Sequence, residues 1–191
     1  MPRPRSDDKR AAILAAAMKM FAERGLGASP TSAISKAAGV AEGTLFTYFK
    51  TKDDLVNALY REIKLDVAAA IMSSLPRTKD VRSRLHHLWD GYVSWGAANP
   101  DQRKVLAQLQ VSDTITAESR ASGYAPFAEI EAMARDAVAE QILRDYPVQL
   151  IAATLSALAE MIMVCMAQDP KKAAHYRAWG FEILWSGIAA K

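Results

Sequence analysis

The chain has 191 residues, 51% hydrophobic and 24% charged, enough apolar surface to offset its ordering entropy, so a globally disordered chain is excluded. Its single cysteine, Cys165, excludes an internal disulfide and a Cys-based metal cluster within one chain. The net charge of +3 is unevenly divided: residues 1–52 carry nine Lys/Arg and four Asp/Glu, a net +5, while the remainder carries 15 against 17, a net −2.

The first eight residues, Met1-Pro2-Arg3-Pro4-Arg5-Ser6-Asp7-Asp8, have no apolar core, so no signal peptide is expected and the protein reads as cytoplasmic. Glycine and proline fall between stretches of helical period, and no segment sustains period-two alternation, so the expected fold class is all-α. In the first stretch Ala12, Ile13, Ala16, Ala17, Met20 and Phe21 recur at three- and four-residue steps, and Gly25 supplies a stop. Short helices are expected over 31–38, closed by Gly39, and over 41–48. A longer one begins near Lys52 and is closed by Pro76. Helices follow at about 80–97, 100–112, 117–144, 147–168 and 170–190, with 123–126 as the place where a break in the third would fall. The uncharged run 146–159 is shorter than the roughly 20 apolar residues that cross a bilayer, and Glu160 interrupts its continuation, so no membrane contact is expected. A helix apolar nearly all round must instead be buried against something.

Three helices within residues 8–49, the second and third joined by a tight glycine turn, have the spacing of a DNA-binding helix-turn-helix. Ile34, Ala37, Val40, Leu45 and Phe49 supply inward positions, Ala37 being small enough for helices to cross closely, and Gly39 suits a left-handed turn. The opposite face, Glu42, Gly43, Thr44, Thr47 and Tyr48, is short and polar. Small residues there let backbone approach the major groove, where Thr hydrogen-bonds base edges or meets a thymine methyl. A basic N-terminal quarter on a mildly acidic body fits one end meeting a polyanion. The alternative is a solvated lysine-rich surface.

The string Phe21-Ala22-Glu23-Arg24-Gly25, then Thr31, Ile34, Ala37, Gly39-Val40, Gly43-Thr44-Leu45-Phe46-Thr47-Tyr48-Phe49 and Lys52-Asp53-Asp54-Leu55, closely resembles the TetR/AcrR family of transcriptional regulators over residues 8–60. The resemblance implies that Thr31 touches phosphate, that positions 41–48 (Ala41, Glu42, Gly43, Thr44, Phe46, Thr47 and Tyr48 among them) enter the major groove, and that Lys52 pairs with a phosphate. Lys52 with Arg3, Arg5 and Arg10 would then attract DNA without regard to sequence, and Thr44, Thr47 and Tyr48 would give register and selectivity. Two positions depart from the family's pattern. Ala41 replaces a serine that caps or donates. Phe46 replaces a tyrosine, leaving Tyr48 to carry the hydroxyl's duty. Glu42 either reads a cytosine amine or disfavours wrong sites.

The expected organisation is a DNA-binding domain over 1–52 and a larger helical ligand-binding and dimerisation domain over 53–191. In the middle helices Leu85, Leu88, Trp89, Tyr92, Val93 and Gly96 share a face, and Trp89 and Tyr92 with Met133, Met161 and Met163 would line an adaptable apolar pocket, or simply form core. His86 and His87 cannot both point inward and no third ligand stands at metal spacing, so neither metal nor cofactor is expected. The last two helices offer Leu150, Thr154 and Ala157 on one and Gly180, Ile183, Leu184 and Gly187 on the other, either as a dimer surface or as monomer core. The resemblance implies a homodimer through a four-helix bundle of these helices, binding double-stranded DNA, and a small-molecule effector that shifts the fourth helix to release the operator. The competing reading is a helical small-molecule carrier or enzyme without DNA binding. The sequence holds no nucleophile elbow, phosphate-binding glycine loop or His-Glu-X-X-His, and Asp53-Asp54 is explained by a helix start.

Overall fold

The structure, a computed structural model, describes residues 5–72, 74–76 and 80–190. Among these, α-helices follow one another with no strand: α1 (Arg5–Arg24), α2 (Thr31–Ala37), α3 (Glu42–Tyr48), α4 (Lys52–Met72), α5 (Val81–Ala98), α6 (Pro100–Gln110), α7 (Ala117–Tyr124), α8 (Ala128–Ala139), α9 (Val148–Gln168) and α10 (Ala173–Ile188). Short 3-10 turns at Ala125–Phe127 and Pro170–Lys172 lead into α8 and α10. The stretch expected over 117–144 is thus two helices, broken at the turn containing Pro126, which lacks the N–H that a continuing helix needs. α8 ends at Ala139, before Gln141 turns left-handed at φ 59°.

The chain up to Leu65 and residues Asn99–Tyr124 form one compact unit, in which α1 packs on α2, α3 and α6. Its core draws Ile13, Ala17 and Phe21 from α1, Ile34 from α2, Leu45 from α3, Leu55 and Leu59 from α4, and Val105 and Leu109 from α6. Gly25 stops α1 at φ 81°, with its N–H on the Phe21 carbonyl at 3.0 Å, while the Ser29 hydroxyl donates to the Gly25 carbonyl at 2.8 Å. α4 opens on a reciprocal capping box: the Asp54 N–H donates to Thr51 Oγ1 and the Thr51 N–H to Asp54 Oδ2, both at 3.0 Å. Buried Asn57 ties α4 to the segment before α7. Its amide donates to the Asp53 and Thr114 carbonyls at 2.9 Å and accepts from the Thr116 N–H at 3.0 Å.

The second unit comprises Asp66–Ala98 and the chain from Ala125 onward, so α4 contributes to both units. Here α9 and α10 pack along each other, and α5 packs on both and on α8. Trp89 of α5 is fully buried and donates from Nε1 to the Arg177 carbonyl at 3.0 Å, which satisfies its one polar atom. The end of α10 is held by the loop before α9: the Arg144 N–H donates to the Ile188 carbonyl at 2.8 Å, the Ala190 N–H to Ile142 at 3.0 Å, and Arg144 Nε to Ala189 at 2.9 Å. Leu143, buried in this clasp, makes an isolated antiparallel bridge with Ala189.

The expectation for the most apolar helix needs correction. α9 runs 21 residues with a mean hydropathy of 2.0 over its most apolar stretch, so by length and composition it is long enough to cross a membrane. The uncharged run stops at Glu160, but the helix carries on to Gln168 with no further charge. Only Ile151, Ala159, Ile162 and Met163 of α9 are buried.

Candidate nucleic-acid interface

The turn between α2 and α3 is a Schellman motif. The Val40 N–H donates to the Ser35 carbonyl at 3.0 Å and the Gly39 N–H to Lys36 at 3.2 Å, with Gly39 left-handed at φ 67°. The inner faces are fixed by Ile34, Leu45 and Phe49, all buried. Ala37, expected inside, is exposed, and Ser35 takes the buried place with its hydroxyl on the Ser32 carbonyl at 3.0 Å. In a seven-residue helix of small side chains no periodicity distinguishes the two positions.

On the outer side, Ala41, Glu42, Gly43, Phe46 and Thr47 are exposed, and Thr44 and Tyr48 are half-buried. Ala41 takes the N-cap position with extended backbone and no side-chain cap. Gly43 is informative because nothing in this chain requires it. Its φ is not left-handed, and a Cβ built there meets no atom within 4 Å. No contact within the chain therefore requires glycine at this exposed first-turn position of α3. The Thr47 hydroxyl donates back to the Gly43 carbonyl at 3.0 Å, so on this exposed side chain the oxygen is left to act as an acceptor.

The positions that resemblance assigns to phosphate carry contacts of their own. Thr31 follows the N-cap Pro30, and its hydroxyl donates to Glu42 Oε1 at 2.9 Å. Lys52 Nζ donates to the Leu26 carbonyl at 2.6 Å and lies 6.0 Å from the centre of the Phe21 ring. An ammonium has three protons, so this contact fixes Lys52 and leaves donors to spare. Arg10 sits 5.8 Å over the Phe49 ring and donates to Glu62 at 3.0 Å, so it braces the helix behind α3. Arg3 lies outside the described residues, as does the side chain of Arg5. Lys36 and Lys50, two of the nine basic residues in the N-terminal quarter, are exposed at the end of α2 and just after α3, and a Thr51–Asp54 box not foreseen from the sequence starts α4 beside Lys52. The spacing Thr-x-x-Asp carried that last signal.

In the second unit Trp89, Tyr92 and Met133 are buried, with Tyr92 stacked on Trp95 at 6.0 Å, whereas Met161 is 60% exposed and does not join them. An open groove between α8 and α9, lined by Glu131, Arg135, Tyr146 and Gln149 among others, includes none of the four. His86 pairs with Asp90 at 3.2 Å and His87 lies 3.2 Å from the Ile71 carbonyl, so the two rings have separate partners. Of the residues expected on a dimer surface, Leu150, Thr154, Ala157, Ile183 and Gly187 are exposed. Gly180 and Leu184 are buried and face their own unit: a Cβ at Gly180 would lie 2.5 Å from Trp89 Cζ2 and 2.6 Å from Ile162 Cγ1. Met161, Val164 and Trp179 join the exposed set, making an apolar face along α9 and α10.

Residues 13–59 match the family model for bacterial regulatory proteins of the tetR family. A fatty acid metabolism regulator protein from Bacillus subtilis (strain 168) is 46% identical over 50 residues, 26% of this chain and 26% of that protein. The chain spans less than half the length of the curated relatives it matches. Whole-chain likeness comes from solved structures. A chain classed with tetR family transcription regulators from Shewanella sp. PV-4 superposes with a TM-score of 0.87 at 27% identity, covering 96% of this chain and 99% of that one. A TetR family transcription regulator from Marinobacter aquaeolei VT8 gives 0.86 at 23% identity over 100% of both, which speaks to the fold alone. The glycine turn, the outer surface of α3 and the whole-chain fold agree with this match: residues 13–59 form a DNA-binding region of the tetR type, and the whole chain is similar in fold to tetR family regulators.

Proposed function

We propose that the protein is a homodimeric, sequence-specific DNA-binding regulator rather than an enzyme, acting as a repressor released from its operator by a small apolar or amphipathic ligand. The observation that carries DNA reading is Gly43: an exposed recognition helix, pinned from behind by Leu45 and Phe49, keeps open space where a side chain would stand. Ala41, Glu42, Gly43, Thr44, Phe46, Thr47 and Tyr48 address the major groove, Lys52, Lys36 and Lys50 address the backbone, and the Thr31 hydroxyl is engaged with Glu42. The exposed apolar face of α9 and α10 supports dimerisation. Leu150, Thr154, Ala157, Met161 and Val164 recur at steps of four and three, a coiled-coil seam, and a second copy related by a two-fold axis would cover it and account for so apolar a helix without a bilayer.

The effector belongs to the second unit, at the aromatic face of α5 around Trp89 and Tyr92 with Met133 of α8. Because α4 contributes to both units, a ligand that favours one position of α4 changes how α3 is presented, with a coupling of about 1–3 kcal/mol typical of such systems. The test is binding of the purified protein to its own upstream DNA against a scrambled duplex over a salt titration. A steep salt slope with preference for the native duplex is the expected result. Equal, weak binding to both, repeated with a pool of random duplexes, overturns it and favours a small-molecule carrier.

A further inference from the structure

α3 carries no Arg, Lys, Asn or Gln between Glu42 and Tyr48. Those are the residues that read guanine through O6 and N7 or adenine through N6 and N7. The two polar side chains that α3 exposes fully accept hydrogen bonds: the Glu42 carboxylate has no proton to give, and the Thr47 hydroxyl has given its own to the Gly43 carbonyl at 3.0 Å, while Thr44 and Tyr48 are half-buried. In the major groove an acceptor finds a partner only at the exocyclic amines, cytosine N4 and adenine N6. Adenine places its acceptor N7 beside the amine, where it repels a carboxylate. Cytosine places a C–H there.

Glu42 is also held. Thr31, at the start of the preceding helix, donates to Oε1 at 2.9 Å, bridging α2 and α3 across the turn. That bond occupies one of the carboxylate's several acceptor sites and restricts an otherwise exposed, rotamer-rich side chain, so its ordering cost is met before any base arrives. A carboxylate facing a polyanion weakens attraction to every duplex, and a bond to a cytosine amine offsets that cost at particular bases.

Resting on the DNA-reading function proposed above, we infer that Glu42, positioned by the Thr31 hydroxyl, reads a cytosine amine and sets one base position of each half-site, with Thr47 offering its methyl and lone pairs to a neighbouring thymine methyl or amine.

Selection from a pool of randomised duplexes tests this, run on the full-length protein and on E42A, E42Q, T31V and T31S. The wild type is expected to enrich a motif with cytosine at one position of each half-site, and replacing that cytosine costs about tenfold in affinity. E42A loses the preference there and nowhere else while binding unrelated DNA more tightly, a gain that loss of structure would not produce. E42Q, which keeps the side chain's shape, shifts the position toward adenine. T31V weakens the cytosine preference and T31S retains it. An E42A motif identical to the wild type at every position overturns the assignment, and full selectivity in T31V overturns the positioning role. A wild type that enriches no motif at all removes the DNA-reading function itself.

Discussion

Gly180 of α10 lies against Trp89 of α5 so closely that a methyl group on the glycine would stand 2.5 Å from the indole Cζ2 and 2.6 Å from Ile162 Cγ1. Relieving the first contact moves the indole, whose Nε1 is tied to the Arg177 carbonyl at 3.0 Å. Gly180→Ala is therefore expected to destabilise the protein by about 1–3 kcal/mol through overpacking, measured by urea unfolding. Its oligomeric state should stay as it is in the wild type, because the residue faces inward.

The opposite expectation holds one residue-step away on the exposed side. Ala157→Glu and Ile183→Glu place charge on the apolar face of α9 and α10 at exposed positions, so each subunit should remain folded while its mass by light scattering falls to that of a monomer. Leu184→Glu, beside Ile183 but buried, should instead unfold the second unit. A persistent dimer in both surface variants would refute the proposed assembly.

The contrast shows what the sequence could and could not carry. Helix positions and the turn were legible because their signals are local: Gly39 must be left-handed, and Ile34, Leu45 and Phe49 fall at inward spacings close to it. The inner face of α10 was not, since the large apolar residues Trp179 and Ile183 are exposed while their neighbours Gly180 and Leu184 are buried, so apolar character does not mark the inner side. Gly180 and Gly187 stand seven residues apart and share a face by periodicity, yet a Cβ at Gly187 meets nothing within 4 Å. A shared face does not imply a shared neighbour. The Asn57 bonds to Thr114 and Thr116 were equally hidden, because a single polar residue bonding a segment nearly 60 positions away leaves no periodic trace.

Gly43→Ala separates folding from reading. Open space around the position and an ordinary helical backbone predict that the variant folds with a small gain in stability from helix propensity, at most about 0.5–1 kcal/mol because the position lies in the first turn. The added methyl stands where the duplex would approach, so affinity for the native upstream DNA should fall even as the melting temperature rises. A variant that binds as tightly as the wild type would remove the main support for α3 as the reading surface.

The Thr51–Asp54 box makes a prediction about α4. Thr51→Ala removes the acceptor for the Asp54 N–H and should cost about 0.5–2 kcal/mol, while Thr51→Ser should restore most of it. Because Lys52 follows directly, fraying at this end also loosens its hold on the Leu26 carbonyl, and a weaker salt dependence of DNA binding is expected alongside the lower unfolding midpoint.

Lys64, deep in α4 with its ammonium 4.1 Å over the Tyr124 ring, should give the protein an uncommon pH dependence. Burial strips water from the charge and lowers the lysine from 10.5 to about 8. Below pH 8 the buried group is charged in both folded and unfolded chains, and its desolvation opposes folding in full. Between about 8 and 10.5 the folded protein has released the proton while the unfolded chain still binds it, so this group makes stability rise with pH, by at most about 1.4 kcal/mol per unit. Tyr60, pushed up from 10.0 to about 12 first by burial and then by Tyr124, acts in the opposite sense only above pH 10, where the unfolded chain loses its proton first. Urea midpoints at pH 7, 8.5 and 10 for the wild type and Lys64→Met should therefore converge or cross as pH rises, the methionine variant holding its relative advantage at pH 7. A difference between the two that stays constant across the series would show that the lysine keeps its ordinary affinity for the proton when folded.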